Sequence, residues 1–223
     1  MAPLRRSARL LLLCPLVVAT ACLPYTTGST GQTVPIGERH SFGTAGLVIN
    51  GGGQFDDSAS TSSDIANIPM SDSEVRFGLS ERSDLGIRIT SASGLVMNYK
   101  RRHAGYAHPD SAGFSTMWGG GIVNWGGHAL VEATAIVSGR RNSAGIPYGG
   151  LRAFHTMPIS RGAVTDKPTV GGFLGMKFIL GDVSISPELG VFYDESVLAL
   201  RRGNIVVVPA VALSGFSFFR IFR

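Results

Sequence analysis

Apolar and polar residues alternate along much of the chain, as they do in β-strands that present two different faces. The clearest example spans residues 73–90, where two alternating segments are separated by a polar turn at 80–83. The odd-numbered positions of both segments are large and apolar: Val75, Phe77, Leu79, Leu85, Ile87 and Ile89. Most even-numbered positions carry charged or small side chains. Alternation with a period of two over consecutive segments predicts antiparallel β-structure.

Comparable segments recur along the rest of the chain, at 38–50, 95–100, 113–123, 128–138, 146–155, 169–180, 183–194 and 204–214. Together they predict about ten strands, and strands of roughly 9–11 residues can cross a bilayer at a tilt. The short turns at 80–83 and 181–182 then fall on the side where the first strand starts. The longer linkers fall on the opposite side: 51–68, 156–168 and 195–203. We therefore predict an all-β fold, a single antiparallel up-and-down β-barrel over residues 38–223.

Two prolines interrupt this regular pattern. Pro187 and Pro209 fall inside predicted strands. Because proline has no backbone N–H to donate to a neighbouring strand, each one predicts a bulge or a position near the barrel rim. Residues 169–180 and 204–214 are also apolar on both faces, which favours a packed interior over a water-filled pore.

Composition supports a barrel whose apolar face meets lipid. Apolar residues make up 44% of the 223 residues and charged residues only 16%, against about 25% charged residues in an average soluble domain. After residue 21 no apolar run reaches the roughly 20 residues of a spanning helix. The formal net charge is +5, but Arg5, Arg6 and Arg9 lie in a predicted export signal, and their removal leaves +2. We therefore expect no nucleic-acid partner.

The first 21 residues have the three parts of a secretory signal peptide. A basic start is followed by an apolar stretch at 10–18 and by the small residues 19–21. With Cys22 they form the sequence Ala-Thr-Ala-Cys, which resembles the lipobox of bacterial lipoproteins. The resemblance implies that residues 1–21 are removed and that Cys22 carries a covalent lipid, with membrane lipids as partners and no other cofactor. Residues 22–37 are rich in Thr, Gly, Ser and Pro and predict a lipidated, flexible tether. We expect the first strand to start on the lipid-anchored side of the membrane.

Residues 74–88 read Glu-Val-Arg-Phe-Gly-Leu-Ser-Glu-Arg-Ser-Asp-Leu-Gly-Ile-Arg. They resemble a hairpin of many small outer-membrane β-barrel proteins, in which Phe-Gly-Leu ends one strand and Asp-Leu-Gly begins the next. The leading hypothesis is a lipid-anchored outer-membrane barrel with a structural, interaction or minor permeability role, its protein partners in the cell envelope being unknown. The alternative is a periplasm-facing lipoprotein with a soluble barrel or sandwich that binds a small apolar ligand, because the alternation is the same whichever face points outwards.

The charged residues of the polar faces are the candidate site: Glu74, Arg76, Arg88, Lys100, Glu132, Arg152, Lys177 and Glu188. In a barrel of this size they would face the lumen, where buried charges must pair. We favour a structural charge network, and the other interpretation is a narrow polar path for small solutes. Histidines with metal-binding spacing and a Gly-x-Ser-x-Gly motif are both missing from the sequence. We therefore predict no catalytic residue, no metal site and no enzyme; a lipid-acting enzyme built around His155 is the third hypothesis.

Overall fold

The structure, a computed structural model, describes residues 24–50, 68–91, 93–105, 111–159, 167–194 and 205–215. Within these ranges the chain forms ten β-strands: β1 (Arg39–Asn50), β2 (Ile68–Ser80), β3 (Ser83–Thr90), β4 (Gly94–Gly105), β5 (Gly113–Val123), β6 (His128–Ser138), β7 (Ile146–Pro158), β8 (Thr169–Leu180), β9 (Val183–Tyr193) and β10 (Ile205–Ser214). The predicted signal peptide at 1–21 and Cys22 lie outside the described residues. Among those described, no helix is long and apolar enough to cross a membrane.

Every strand pairs antiparallel with its neighbours in sequence, and β1 pairs with β10 to close the barrel. This confirms the predicted all-β, ten-stranded up-and-down barrel. We call the end at which β1 starts the turn end, because the short β2–β3 and β8–β9 connections lie there. Gly181 has φ +63° in the second of these turns, a conformation that glycine adopts without strain. The opposite end, which we call the loop end, holds the β1–β2, β7–β8 and β9–β10 connections.

Most large apolar side chains in the middle of the strands point outwards, and most charged ones there point inwards. In β3 the exposed or half-buried positions are Leu85, Ile87 and Ile89, whereas the even-numbered positions between them are buried. The same alternation continues around the barrel, where the exposed large side chains include Leu47, Met97, Trp118, Val131, Leu151, Leu174, Val191 and Val211. The outer surface is therefore apolar on every side of the cylinder.

The prediction that Pro187 and Pro209 mark bulges or rim positions is wrong. Both lie in the middle of their strands, and the β9–β10 register is unchanged across them. Instead, the β8–β9 ladder skips two residue pairs beside Pro187, and the β1–β10 ladder skips two pairs beside Pro209, each without a shift of register. Since a missing N–H removes a hydrogen bond without adding a residue, the strands stay aligned and lose only local pairing.

Residues 24–34, predicted as part of a flexible tether, instead lie inside the barrel. Most of this stretch is buried, and its contacts run from Asp194 at the loop end to Asp84 at the turn end. We call residues 24–34 the luminal segment. Its small, hydroxyl-rich composition, which suits a solvated linker, also suits a narrow lumen in which bulky residues would clash with the wall.

Candidate functional site: an occupied, charged lumen

Six charged residues of the barrel wall form a continuous chain of ion pairs. Acidic and basic side chains alternate along this chain in the order Asp84, Arg76, Glu74, Arg88, Glu132 and Arg152. Arg88 Nε lies 2.7 Å from Glu74 Oε2, and its Nη1 lies 3.6 Å from Glu132 Oε2. All six side chains are almost completely buried. We call them the luminal charge chain.

Five of the eight predicted site residues belong to this chain. The other three are placed elsewhere in the lumen: Lys100 and Glu188 contact the luminal segment, and Lys177 lines a cavity at the turn end. The predicted site did not include Asp84, Asp72 and Asp194, although each shares an alternating face with a predicted residue: Arg88, Glu74 and Glu188, respectively. Including every acidic residue on the polar face of each strand would have found all three.

At the loop end, the luminal segment closes the barrel with an aromatic side chain. The ring of Tyr25 packs edge-on against Phe154 and Phe192, with ring centroids 5.4 Å apart in each pair. Its hydroxyl donates a hydrogen bond to Asp194, which also accepts one from Thr169. Inward-facing apolar residues surround this ring: Val48, Met70, Val96, Val123, Leu130, Val206 and Val208.

In the middle of the barrel, one carboxylate holds the backbone of the luminal segment. Glu188 Oε1 accepts the backbone N–H of Thr27 at 3.0 Å. Its Oε2 accepts the Thr27 hydroxyl at 3.0 Å, the backbone N–H of Gly28 at 3.2 Å and the Tyr148 hydroxyl at 3.1 Å. From β7, Arg152 donates from Nη1 to the carbonyl oxygen of Thr26 at 2.8 Å. Two charged residues thus bind neighbouring peptide groups of the same segment.

Towards the turn end, a lysine and an aspartate of the wall bind the backbone of the luminal segment. Lys100 Nζ donates to Ser29 Oγ at 2.9 Å and to the carbonyl oxygens of Thr30 and Gln32 at 2.5 Å each. Asp84 Oδ2 accepts the backbone N–H of Val34 at 2.8 Å. The segment therefore crosses the lumen in an extended form, and charged wall residues satisfy its peptide groups at successive positions.

A cavity of about 180 Å³ remains beside the luminal segment at the turn end. Residues of the segment and of β1, β8, β9 and β10 line it, among them Thr30, Val34, His40, Lys177, Ser184 and Ser214. The segment therefore fills the loop end and middle of the lumen more completely than the turn end.

The described residues provide no arrangement for catalysis around His155. It lies on the outer face of β7, opposite Val131 of β6, and is thus separated by the wall from the luminal serines. Within the described ranges, no group of three or more His, Cys, Asp or Glu residues is placed to hold a metal ion.

The fold and the occupied lumen define the class: a closed, ten-stranded up-and-down β-barrel with an apolar exterior and a charged lumen that its own residues 24–34 largely occupy. Among solved structures, the crystal structure of the outer membrane protein OprG from Pseudomonas aeruginosa is similar at 11% identity, covering 83% of this chain and 96% of that chain with a TM-score of 0.33. At that TM-score the likeness carries no argument about function. No protein-family model and no curated protein matches the chain.

Proposed function

We propose that the protein is an outer-membrane β-barrel lipoprotein with a structural role, whose lumen is closed by its own luminal segment. The observation that carries the proposal is the direction of the two faces: large apolar side chains cover the outside, and the luminal charge chain lies inside. In water this surface would expose far more contiguous apolar area than a monomeric soluble protein tolerates. In a bilayer the same surface meets lipid, and a closed barrel leaves no strand edge unpaired.

The alternative of a soluble barrel that binds an apolar ligand requires the opposite arrangement. Such a barrel turns its apolar face inwards and its charged face to water. Here Arg76, Arg88 and Glu74 are buried in the lumen, and the space that a ligand would occupy is largely filled by residues 24–34. The inward charges and the occupied lumen both oppose that alternative.

The lipid on Cys22 is part of the proposal, and the path of the luminal segment supports a position for this lipid at the loop end. Tyr25 lies in the apolar cluster at the loop end, and Cys22 precedes it by three residues. Because one residue spans at most about 3.6 Å, we propose that the acyl chains enter the leaflet at the loop end. This differs from the sequence-based expectation, in which the lipid and the start of the first strand share one side.

Extraction experiments test the membrane-spanning barrel separately from the lipid. The wild-type chain and the Cys22→Ser variant are expressed with the export signal, and membranes are washed with alkaline carbonate. Both proteins should stay in the membrane pellet and require detergent for release, because the barrel itself spans the bilayer. Recovery of Cys22→Ser as a soluble, folded monomer would refute the spanning barrel.

Metabolic labelling with a fatty-acid analogue tests the lipid. The wild type should become labelled and the Cys22→Ser variant should not. Cys14→Ser is the matched control, since Cys14 lies in the predicted signal peptide and its replacement should leave the labelling unchanged. Equal labelling of wild type and Cys22→Ser would remove the lipoprotein part of the proposal and leave the barrel intact.

A further inference from the structure

We propose that the barrel lumen is a binding site for an extended, hydroxyl-rich peptide, that residues 24–34 are its resident ligand, and that the barrel becomes a pore when this peptide leaves. The pore part rests on the proposed membrane-spanning barrel, whereas the peptide-binding part does not. The inference goes beyond a sealed structural barrel, because it assigns the lumen a ligand and a second state.

The contacts between wall and segment are those of a peptide-binding site. Lys100 binds two carbonyl oxygens and one hydroxyl of the segment, Glu188 binds two N–H groups and one hydroxyl, and Asp84 binds one N–H group. Recognition therefore combines backbone groups, which any extended peptide offers, with the hydroxyl groups of Thr27 and Ser29, which specify the residue. The aromatic ring of Tyr25 fills an apolar pocket at one end and fixes the register.

In the described residues the backbone of the segment pairs with no strand of the barrel wall, and its hydrogen bonds to the wall go through side chains. Within the described residues, the single bridge that joins the stretch before β1 to a strand is between Ile36 and Gly78, outside the luminal segment. Residues 35–38 link the segment to β1 and are exposed at the turn end. The ten-stranded ladder closes through β1 and β10 without using residues 24–34, so departure of the segment would break no strand pairing.

Departure of the segment would open a route through the barrel, lined by charged residues in the middle and by apolar residues at the loop end. The cavity of about 180 Å³ at the turn end already lies alongside the segment. The loop end is closed by packing around Tyr25, which belongs to the segment and not to the wall. Removing residues 24–34 would therefore join the cavity to the middle of the lumen and take away the aromatic side chain that closes the other end.

A cut-and-exchange experiment tests the peptide site on the complete, folded chain. A recognition sequence for a specific protease is inserted between Gly37 and Glu38; Gly37 has no neighbouring heavy atom within 4 Å of an added Cβ. The uncut protein serves as the control for correct folding. After cutting in detergent, a fluorescent peptide of residues 24–36 should replace the resident segment and bind saturably. Failure of the labelled peptide to enter at every temperature below barrel unfolding would overturn the proposal.

Two peptide variants test whether binding uses the observed contacts. Thr27 donates its hydroxyl to buried Glu188, whereas Thr33 donates to the carbonyl oxygen of Glu81 at 3.4 Å in an exposed position. Thr27→Val should weaken binding roughly tenfold or more, because it removes a hydrogen bond to a buried charge. Thr33→Val, the matched control, should bind within about twofold of the unmodified peptide. Equal affinities of the two variants would contradict the site described here.

Planar bilayers test the pore. The uncut protein should show a low conductance, whereas the cut and washed protein should conduct. Added peptide should lower the conductance again, and the Thr27→Val peptide should need a higher concentration to do so. A cut protein that exchanges peptide in detergent but never conducts would overturn the pore and leave the binding site. A protein that does not enter bilayers at all would count against the proposed function instead.

Discussion

Arg76 and Asp84 face each other inside the barrel, where Arg76 Nε donates a hydrogen bond of 2.8 Å to Asp84 Oδ1. The second oxygen of the same carboxylate accepts the backbone N–H of Val34, also at 2.8 Å. One side chain thus ends the luminal charge chain and holds the turn-end part of the luminal segment. Because Asp84 contacts both Arg76 of the wall and Val34 of the luminal segment, a substitution of Asp84 affects both.

Replacing Asp84 with asparagine tests this shared role. The variant keeps an acceptor oxygen but leaves Arg76 without one of its two buried carboxylates, which should lower the free energy of unfolding by about 3–5 kcal/mol. Thermal unfolding in detergent, followed by the loss of β-sheet circular dichroism, measures the effect. Asp182→Asn is the control, because Asp182 is exposed in the β8–β9 turn. A similar loss in both variants would show that the luminal position of Asp84 is unimportant.

The apolar exterior predicts that a charged side chain on the outer face of a strand destabilises the barrel. Leu174 lies near the middle of β8 and is 74% exposed. Leu174→Arg should destabilise the barrel in lipid vesicles by about 2–4 kcal/mol, as expected for arginine near the bilayer midplane. Asn142→Arg, in an exposed turn between β6 and β7, should have little effect. If both variants insert into vesicles equally well, the outer face of β8 does not contact lipid.

A wall glycine allows the chain to pass from the lumen to the first strand. A Cβ at Gly78 would lie 1.9 Å from the carbonyl oxygen of Pro35 and 2.7 Å from that of Val34. Gly78→Ala should therefore push residues 34–36 away and break the hydrogen bond from Val34 to Asp84. The Val34 amide should then exchange with deuterium at least about tenfold faster.

The control for that substitution is Gly172→Ala on the outer face of β8. There an added Cβ meets no atom closer than 3.4 Å, which is ordinary contact. Exchange at Val34 should be unchanged in this variant. An unchanged Val34 rate in Gly78→Ala as well would mean that the segment does not pass close to β2.

Tyr25→Phe tests the loop-end closure. The variant keeps the ring that packs against Phe154 and Phe192 but removes the hydroxyl that donates a hydrogen bond to buried Asp194. Because a hydrogen bond to a charged group contributes about 1.5–3 kcal/mol, the free energy of unfolding in detergent should fall by about that amount. An unchanged free energy of unfolding would contradict the contact between Tyr25 and Asp194.

The barrel itself could be predicted from the sequence because alternation carries most of the information. The alternation of Leu85, Ile87 and Ile89 identified the strand and the side chains that share a face, but it did not say which face points outwards. The low fraction of charged residues favoured an apolar exterior, and the even number of strands located the turns. Strand ends were predicted less accurately. The predicted segment at 95–100 is too short, because β4 continues to Gly105. Arg101 and His103 are polar residues that face outwards near the rim and do not follow the apolar alternation.

The luminal segment could not be predicted, because nothing in its composition distinguishes a solvated tether from an extended peptide in a narrow lumen. Thr27, Gly28 and Ser29 are typical of both. Two signals were nevertheless present. Tyr25 is an isolated aromatic residue in a stretch of small ones, and the inward positions of β10, such as Val206 and Val208, are apolar without an obvious partner in an open lumen. In the structure the ring of Tyr25 lies in one apolar cluster with Val206 and Val208.

The direction of the luminal segment restricts the order in which the molecule can be built. The chain passes from the loop end to the turn end before β1 starts, so the cylinder encloses its own leading residues. If Cys22 is acylated before folding, its acyl chains cannot pass through the narrow lumen of a closed barrel. β1 and β10 must then pair after residues 24–34 have taken their position, so that the barrel closes around the luminal segment.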